Sequence, residues 1–235
     1  MKISVIIPTY NEQGRIGKLV DEIHNSNNGH IHEIIVVDGG SEDNTVNEAK
    51  RSYVRLIEST EKGRAIQMNE AASMATGDIL YFVHADTRPP KGFDNLIVEK
   101  YGDDNRAGCF TSIFDWNHPF LRFCNFFSKL PFWFCRGGGQ TLFVCNSLFH
   151  KLGGFKTEMS LMEEYEFIGR LKKETNFTII KKNAITSARD YRKNGAVRLQ
   201  LIYAYVFYLY AIGASQERML NFLKERVMKP SKSCS

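Results

Sequence analysis

Four short apolar runs constrain this chain more than any other feature: residues 3–7 (Ile-Ser-Val-Ile-Ile), 34–37, 54–57 and 79–83. A strand that is apolar at almost every position is buried on both faces, which requires helices on both sides of its sheet. The intervening segments supply them. Ile16, Leu19, Val20 and Ile23 recur at helical spacing, residues 45–49 open a helix behind Ser41 or Asp43, and residues 63–74 form another, ended by Thr76-Gly77-Asp78. This alternation predicts an α/β fold with a mostly parallel central sheet flanked by helices. Ligands of such sheets bind beyond the carboxyl ends of the strands, so the loops after residues 7, 37 and 83 are where function is expected.

The second half is less regular. Residues 93–101 read as a helix, 107–114 and 141–145 as strands, 163–173 as a helix, and 197–212 and 215–227 as two closing helices. Residues 119–135 are crowded with aromatic side chains and read either as core and acceptor-pocket lining or as a membrane-facing surface with Arg122, Lys129 and Arg136 near lipid phosphates. The expected organisation is one domain over residues 1–228, with a nucleotide-binding half (1–90), an acceptor half (91–190) and C-terminal helices (197–228). Residues 229–235 read as a disordered tail.

The net charge of +5 suits an anionic small substrate or an anionic membrane surface, and no dense Lys/Arg block or motif points to nucleic acid. Five cysteines, odd in number and without a C-x-x-C pair, read as reduced thiols of a cytoplasmic protein with no zinc site. The N-terminus does not read as a signal peptide. Residues 199–216 carry no charge, but Gln200, four tyrosines and Gly213 argue against a membrane-spanning helix, leaving a buried or an interfacial one.

Asp86 is the most informative single residue. It follows the apolar run 79–83 and precedes Thr87-Arg88-Pro89-Pro90, so a lone carboxylate sits at the carboxyl edge of the sheet. A carboxylate there suits a hard divalent cation that takes its remaining ligands from water and substrate phosphates. After the first strand, which Pro8 is expected to end, Thr9, Asn11 and Glu12 can bond a base or ribose, or Asn11 can cap a helix. After the second, Asp38 can accept from a ribose hydroxyl or base N–H, with Gly39 and Gly40 permitting close approach. Lys62 and Arg64 flank the start of a helix and suit a diphosphate or a solvated charge cluster. Glu163 and Glu166 share a helix face, with Glu164 pointing elsewhere.

The motifs Ile-Pro-Thr-Tyr-Asn-Glu (7–12), Val-Val-Asp-Gly-Gly-Ser-Glu-Asp-Asn-Thr (36–45), Ala-Thr-Gly-Asp-Ile-Leu-Tyr-Phe-Val-His-Ala-Asp-Thr (75–87) and Gly-Gly-Phe…Met-Glu-Glu-Tyr-Glu-Phe (153–167) occur in that order. Together, over about residues 2–190, they resemble the inverting glycosyltransferases of family 2, which have the GT-A fold. Val-His-Ala-Asp-Thr and Ser187-Ala188-Arg189 are similar to a bacterial family 2-like subgroup, some members of which are linked to arsenosugar gene clusters.

The resemblance implies a nucleotide-diphosphate sugar donor and an acceptor that is a small molecule, a glycan or a lipid-linked group. The membrane-facing reading of residues 119–135 would imply a lipid-linked acceptor and peripheral contact with the cytoplasmic face of a membrane. Pro8, Thr9, Tyr10 and Glu12 would line the nucleotide, Asp38 and Gly39 would meet base or ribose, and Lys62 and Arg64 would meet the diphosphate. His84, Ala85 and Asp86 would form the D-x-D-like motif, with Asp86 binding Mg²⁺ or Mn²⁺. Glu164, with Glu163 beside it, would be the general base, since a glutamate with a pKa near about 4.3 is ionised at neutral pH. The chain departs from the family at His84, where relatives carry the first Asp of D-x-D, at Gly39, often Asp, and at Glu164, which replaces Asp. Gly138-Gly139-Gln140 stands where the subgroup has Gly-Asp-Gln. Two other classes compete: a nucleotidyltransferase, which would need a glycine- and base-rich triphosphate loop that residues 8–14 lack, and a non-catalytic nucleotide-sugar-binding or membrane-associated accessory protein.

Overall fold

The computed structural model describes residues 1–59, 61–127 and 141–227. The expected runs become β1 (Ile3–Thr9), β2 (Ile31–Asp38), β3 (Val54–Glu58) and β4 (Ile79–Phe82), joined by α1 (Ile16–Asn25), α2 (Thr45–Ala49) and α3 (Arg64–Met74). They pair in parallel, in the order β3-β2-β1-β4. The register sets Thr9 beside Asp38 and Asp38 beside Glu58, so the carboxyl ends lie level at one edge.

The remaining elements are β5 (Thr87–Arg88), α4 (Phe93–Lys100), β6 (Ala107–Phe114), α5 (Pro119–Phe127), β7 (Leu142–Cys145), α6 (Asn146–Lys151), α7 (Glu163–Glu174), β8 (Phe177–Thr186), α8 (Arg189–Asn194), α9 (Ala196–Ala211) and α10 (Gln216–Arg226). They extend the sheet to eight strands, β3-β2-β1-β4-β7-β6-β8-β5. The pairings β4–β7, β6–β7 and β5–β8 are antiparallel, whereas β6–β8 is parallel. The sheet is therefore parallel in its first half and mixed in its second.

Strand alternation divides the core. Ile3, Val5 and Ile7 face α1 and α4, packing with Leu19, Val20, Phe93 and Ile97. Ile6, Leu80 and Phe82 face α3, α6 and α7, packing with Met68, Phe149, Phe155 and Phe167. Each fully buried side chain of this kind contributes about 1.5–3 kcal/mol, and the two layers hold the functional edge from both sides.

Pro8 does not end β1. The Ile6 carbonyl accepts from Val83 N on the β4 side, and residues two apart along a strand present their backbone groups to the same side. The N–H that Pro8 lacks would point past the last residue of β4, so its absence costs no ladder bond. The uncharged segment 199–216 falls largely in α9, which is buried along one side only, by Leu199, Ile202, Val206 and Leu209. Among the described residues no helix is long and apolar enough to cross a membrane. Of the aromatic segment, α5 is described, with Leu121 buried and Phe123 exposed. Lys129, Arg136, Gly138-Gly139-Gln140 and the tail 229–235 lie outside the described residues. Cys109, Cys124 and Cys145 form no disulfide.

Candidate active site

The first two loops are tied to each other. Asn11, at φ 53°, donates its N–H to Ser41 Oγ (2.8 Å) and accepts from Glu42 N at its side-chain oxygen (2.9 Å). Glu12 N donates to Thr45 Oγ1 (2.7 Å) and Gln13 N to Asp43 Oδ2 (3.2 Å). Asp43 also accepts from Thr45 N (2.9 Å), holding the start of α2.

Asp38, buried at the end of β2, accepts from Gly40 N (2.9 Å) and Ser41 N (2.8 Å), and from Ser41 Oγ. Its carboxylate fixes the loop that was expected to open onto a ribose. Gly40 supplies the positive φ, 83°, that brings its N–H round to this carboxylate. Gln67, on α3, donates from its buried amide to the carbonyls of Thr9 and Val37, both at 2.9 Å, and clamps the ends of β1 and β2. A β-carbon at Gly39 would lie 2.9 Å from that amide nitrogen, so the glycine is required for close packing.

Pro8 is buried, and so is Thr9, whose Oγ1 has no partner. Tyr10 is exposed, with Lys62 Nζ 5.5 Å from its ring centroid. Glu12 is 6% exposed, and both its carboxylate oxygens accept from Arg189, one at 2.7 Å, while Arg15 lies 3.3 Å away. The expected nucleotide-facing carboxylate is thus already paired. Arg189 was missed as a site residue because no periodicity marks it. It arrives because β5 pairs with the end of β8 and Ser187 N donates to the Asp86 carbonyl (3.0 Å).

After β4, the bond from Thr87 N to the His84 carbonyl (2.9 Å) closes a turn across Ala85 and Asp86. Ala85 is buried in the core; Asp86 is partly exposed and receives one long bond, from Thr87 Oγ1 at 3.3 Å. His84 turns away from Asp86: its Nε2–H donates to Glu164 Oε1 at 2.7 Å, and its Nδ1 lies 3.4 Å from Arg64 Nη1. Arg64 Nε donates to Glu163 Oε1, whose fellow oxygen Oε2 is buried without a partner.

Glu163 and Glu164 therefore both enter the site, 0% and 7% exposed, while Glu166 departs to Arg170 (2.6 Å) and Lys156 (3.1 Å). This reverses the expected sharing of a face by Glu163 and Glu166. The cause is the period of α7 itself: Phe167, Ile168 and Leu171 mark its buried stripe, and Glu163 and Glu164 lie on that stripe one turn before Phe167 and Ile168. Leu161, just before α7, is held by Gln216 of α10, which accepts from Ser160 N (3.2 Å) and Leu161 N (3.1 Å).

Burial opposes charge on His84, but Glu164 beside it outweighs that and raises its pKa. Burial would likewise raise the pKa of Glu164, but His84 and Arg64 hold it below the usual carboxylate range. For Arg64, whose side chain is 42% exposed, the partial loss of water is again outweighed by Glu163, Glu164 and Asp86, which raise its pKa further. The site thus brings the Arg64–Glu163 and His84–Glu164 pairs together behind one open carboxylate.

Among the described residues no three His, Cys, Asp or Glu side chains cluster as metal ligands. What the chain offers a cation is the hard oxygen donor of Asp86, scarcely bonded otherwise. That suits Mg²⁺ or Mn²⁺ held largely by phosphate and water, and does not suit a protein-caged metal.

The family model for Glycosyl transferase family 2 matches residues 4–125. A dolichol-phosphate mannosyltransferase of Pyrococcus furiosus is 37% identical over 115 residues, 46% of this chain and 33% of that protein, so the match spans about a third of that relative's length. Among solved structures, the mannosyltransferase PcManGT of Pyrobaculum calidifontis, in complex with GDP-Man and Mn²⁺, superposes with a TM-score of 0.65 at 22% identity, covering 87% of this chain and 62% of that one. Glucosyl-3-phosphoglycerate synthase of Mycobacterium tuberculosis, in complex with Mn²⁺, UDP and phosphoglyceric acid, gives a TM-score of 0.58 at 19% identity, covering 91% and 79%. The fold is the GT-A fold that the sequence motifs implied.

Proposed function

The chain belongs to glycosyl transferase family 2, and from that premise we propose that it transfers a sugar from a nucleoside-diphosphate donor to an acceptor hydroxyl with inversion at the anomeric carbon. The observation that carries this reading is the placing of Asp86, Arg64–Glu163 and His84–Glu164 at one sheet edge. The solved relatives with GDP-Man or UDP and Mn²⁺ support the donor class and the metal.

Asp86 would hold Mg²⁺ or Mn²⁺ through the donor diphosphate, and the bound ion would offset the charge of the leaving group. Lys62, exposed above Tyr10, adds a cation at the same edge. Glu164 acts as general base: Oε1 is fixed by His84, which leaves Oε2 to take the acceptor proton. Base and leaving group on opposite sides of the sugar give a single displacement with inversion. Glu163 holds Arg64, and Asp38, Glu12 and Gln67 hold the loops against which the nucleotide lies. The acceptor is a small molecule, a glycan or a lipid-linked group, and we place the protein in the cytoplasm with peripheral membrane contact.

The test is a thermal-shift series with UDP, GDP, CDP, TDP and their sugars, with and without Mn²⁺ or Mg²⁺. Ligand at 100 times its dissociation constant stabilises a fold by about 2.7 kcal/mol, roughly 5–10 °C for a chain this size. A metal-dependent shift with one base, lost in Asp86→Ala, is expected. No shift with any nucleotide overturns the reading. Turnover with the active sugar nucleotide, lost in Glu164→Gln, separates the enzyme from an accessory protein of the same fold.

A further inference from the structure

We propose that the outward face of α9 docks on an anionic lipid surface. This specifies the peripheral contact proposed above and is independent of the donor and the reaction.

Val197 (49% exposed), Leu201 (65%), Tyr205 (41%), Tyr208 (55%) and Ile212 (55%) follow one another at steps of three or four residues and so form one stripe along the helix. Ala204 and Ala211 are exposed beside them. From Leu199 to Ile212 no side chain is charged. The opposite side of α9 is buried, so from Leu199 onward this helix is uncharged on every side although half of it lies at the surface. A solvated helix carries charged residues on such a face; an uninterrupted apolar stripe marks a contact.

The surroundings identify the partner. Arg189 and Arg192 are paired with Glu12 and Asp115, and after them residues 193–227 carry five basic and two acidic side chains. A groove of about 730 Å³ on this face is lined by Val197, Arg198, Leu201, Ile202, Phe222 and Arg226. Arg226 stacks 4.0 Å from the Phe222 ring centroid and pairs with the exposed Glu225 at 2.9 Å, and Arg198 Nη2 donates to the Arg226 carbonyl at 2.9 Å. Two guanidinium groups above an apolar floor match a phospholipid, whose phosphate lies directly above its acyl chains. Tyr205 and Tyr208 add the amphipathic rings favoured at a membrane boundary. A second copy of this chain would instead oppose two surfaces with the same basic excess.

The buried side of α9 also reaches the site. Val206 and Leu209 share a cluster with Leu161 and Met162, the residues just before Glu163. Docking through α9 would therefore hold the base-bearing loop in a fixed position relative to the lipid surface.

The test is co-sedimentation of the full chain with phosphatidylcholine vesicles and with vesicles that also contain phosphatidylglycerol. The protein is expected to pellet with the anionic vesicles, and less as salt is raised. Leu201→Glu should lower partitioning at least about tenfold. Arg198→Glu with Arg226→Glu should lower it about twentyfold or more, since each basic residue near an anionic surface contributes about a fivefold factor. Leu201→Glu should keep the melting temperature and any nucleotide-induced shift, which separates loss of docking from loss of fold or donor site. Three results overturn the inference: no pelleting with anionic vesicles, pelleting unaffected by Leu201→Glu, or a concentration-dependent dimer that Leu201→Glu dissociates while vesicles capture nothing.

Discussion

His84 Nε2 lies 2.7 Å from Glu164 Oε1, so the residue two places before Asp86 is bonded to the acid proposed to take the acceptor proton. In relatives with a full D-x-D motif the equivalent position is a carboxylate. Here an imidazole bonds Glu164, and Asp86 is the one carboxylate of the turn.

Glu164→Gln should lower turnover by about 10²–10⁴-fold, because an amide cannot take the proton, and the nucleotide-induced thermal shift should survive. His84→Gln, which keeps an N–H donor near Oε1, should retain more activity than His84→Ala with an unchanged KM for the donor. Steady-state kinetics on the three variants decides this; equal activity in the two His84 variants would remove the imidazole from the mechanism.

Arg64→Met should destabilise the fold. It leaves Glu163, whose side chain is 1% exposed, without its ion-pair partner. Stranding a fully buried charge costs about 3–5 kcal/mol, but Arg64 is itself 42% exposed and water partly compensates. A loss of about 2 kcal/mol, or about 4–8 °C in Tm, is expected. Adding Glu163→Gln should recover most of it, which thermal melts of the single and double variants will test.

Gly39→Ala inserts a methyl group 2.9 Å from the Gln67 amide nitrogen. The amide must move, and the Thr9 and Val37 carbonyls lose its two bonds. A cost of about 1–3 kcal/mol follows. Melting within a degree of the parent protein would show that the β1–β2 edge tolerates the shift.

The Glu166 cluster predicts an acid-side pH dependence. Burial opposes the charge on Glu166, but Arg170 and Lys156 outweigh it and lower its pKa, with Tyr210 of α9 the other titratable group facing it. A depressed carboxyl contributes stability in full above its unfolded value, near about 4.3, and loses it as pH falls through the lower folded value. Glu166→Gln should therefore melt about 3–6 °C below the parent at pH 7, as expected for about 1–2 kcal/mol. The difference should close below about pH 4. A gap constant from pH 7 to pH 3 would assign the loss to packing.

The parallel half of the fold was legible because β1 to β4 are short, apolar and separated by helices with a clear period. β8 was not. Its pairing with β6 jumps from Phe110–Ile180 to Thr111–Asn183, so Lys181 and Lys182 are accommodated in a bulge and interrupt the apolar pattern. Asp86 was legible because a lone acid directly after a buried strand must lie at the sheet edge, where its charge can meet water or a ligand. Glu163 and Glu164 could be placed by motif, and the buried stripe of Phe167, Ile168 and Leu171 also extends back one turn to both, a period that setting Glu163 with Glu166 overlooked. Gln67 was silent, and Arg189 stood in a motif without a role, for a different reason: each acts on a strand or loop distant in sequence, Gln67 across 58 positions and Arg189 across 177.

The long reach of Arg189 bears on how the protein is made. Synthesis adds about 5–20 residues per second, so the 177 positions separating Glu12 from Arg189 represent roughly 10–35 seconds of elongation. During that interval the first loop exists without the guanidinium that later grips its carboxylate. The loop of Glu12 and the residue that grips it are thus made well apart, so this sheet edge acquires its final shape only after residue 189 has emerged.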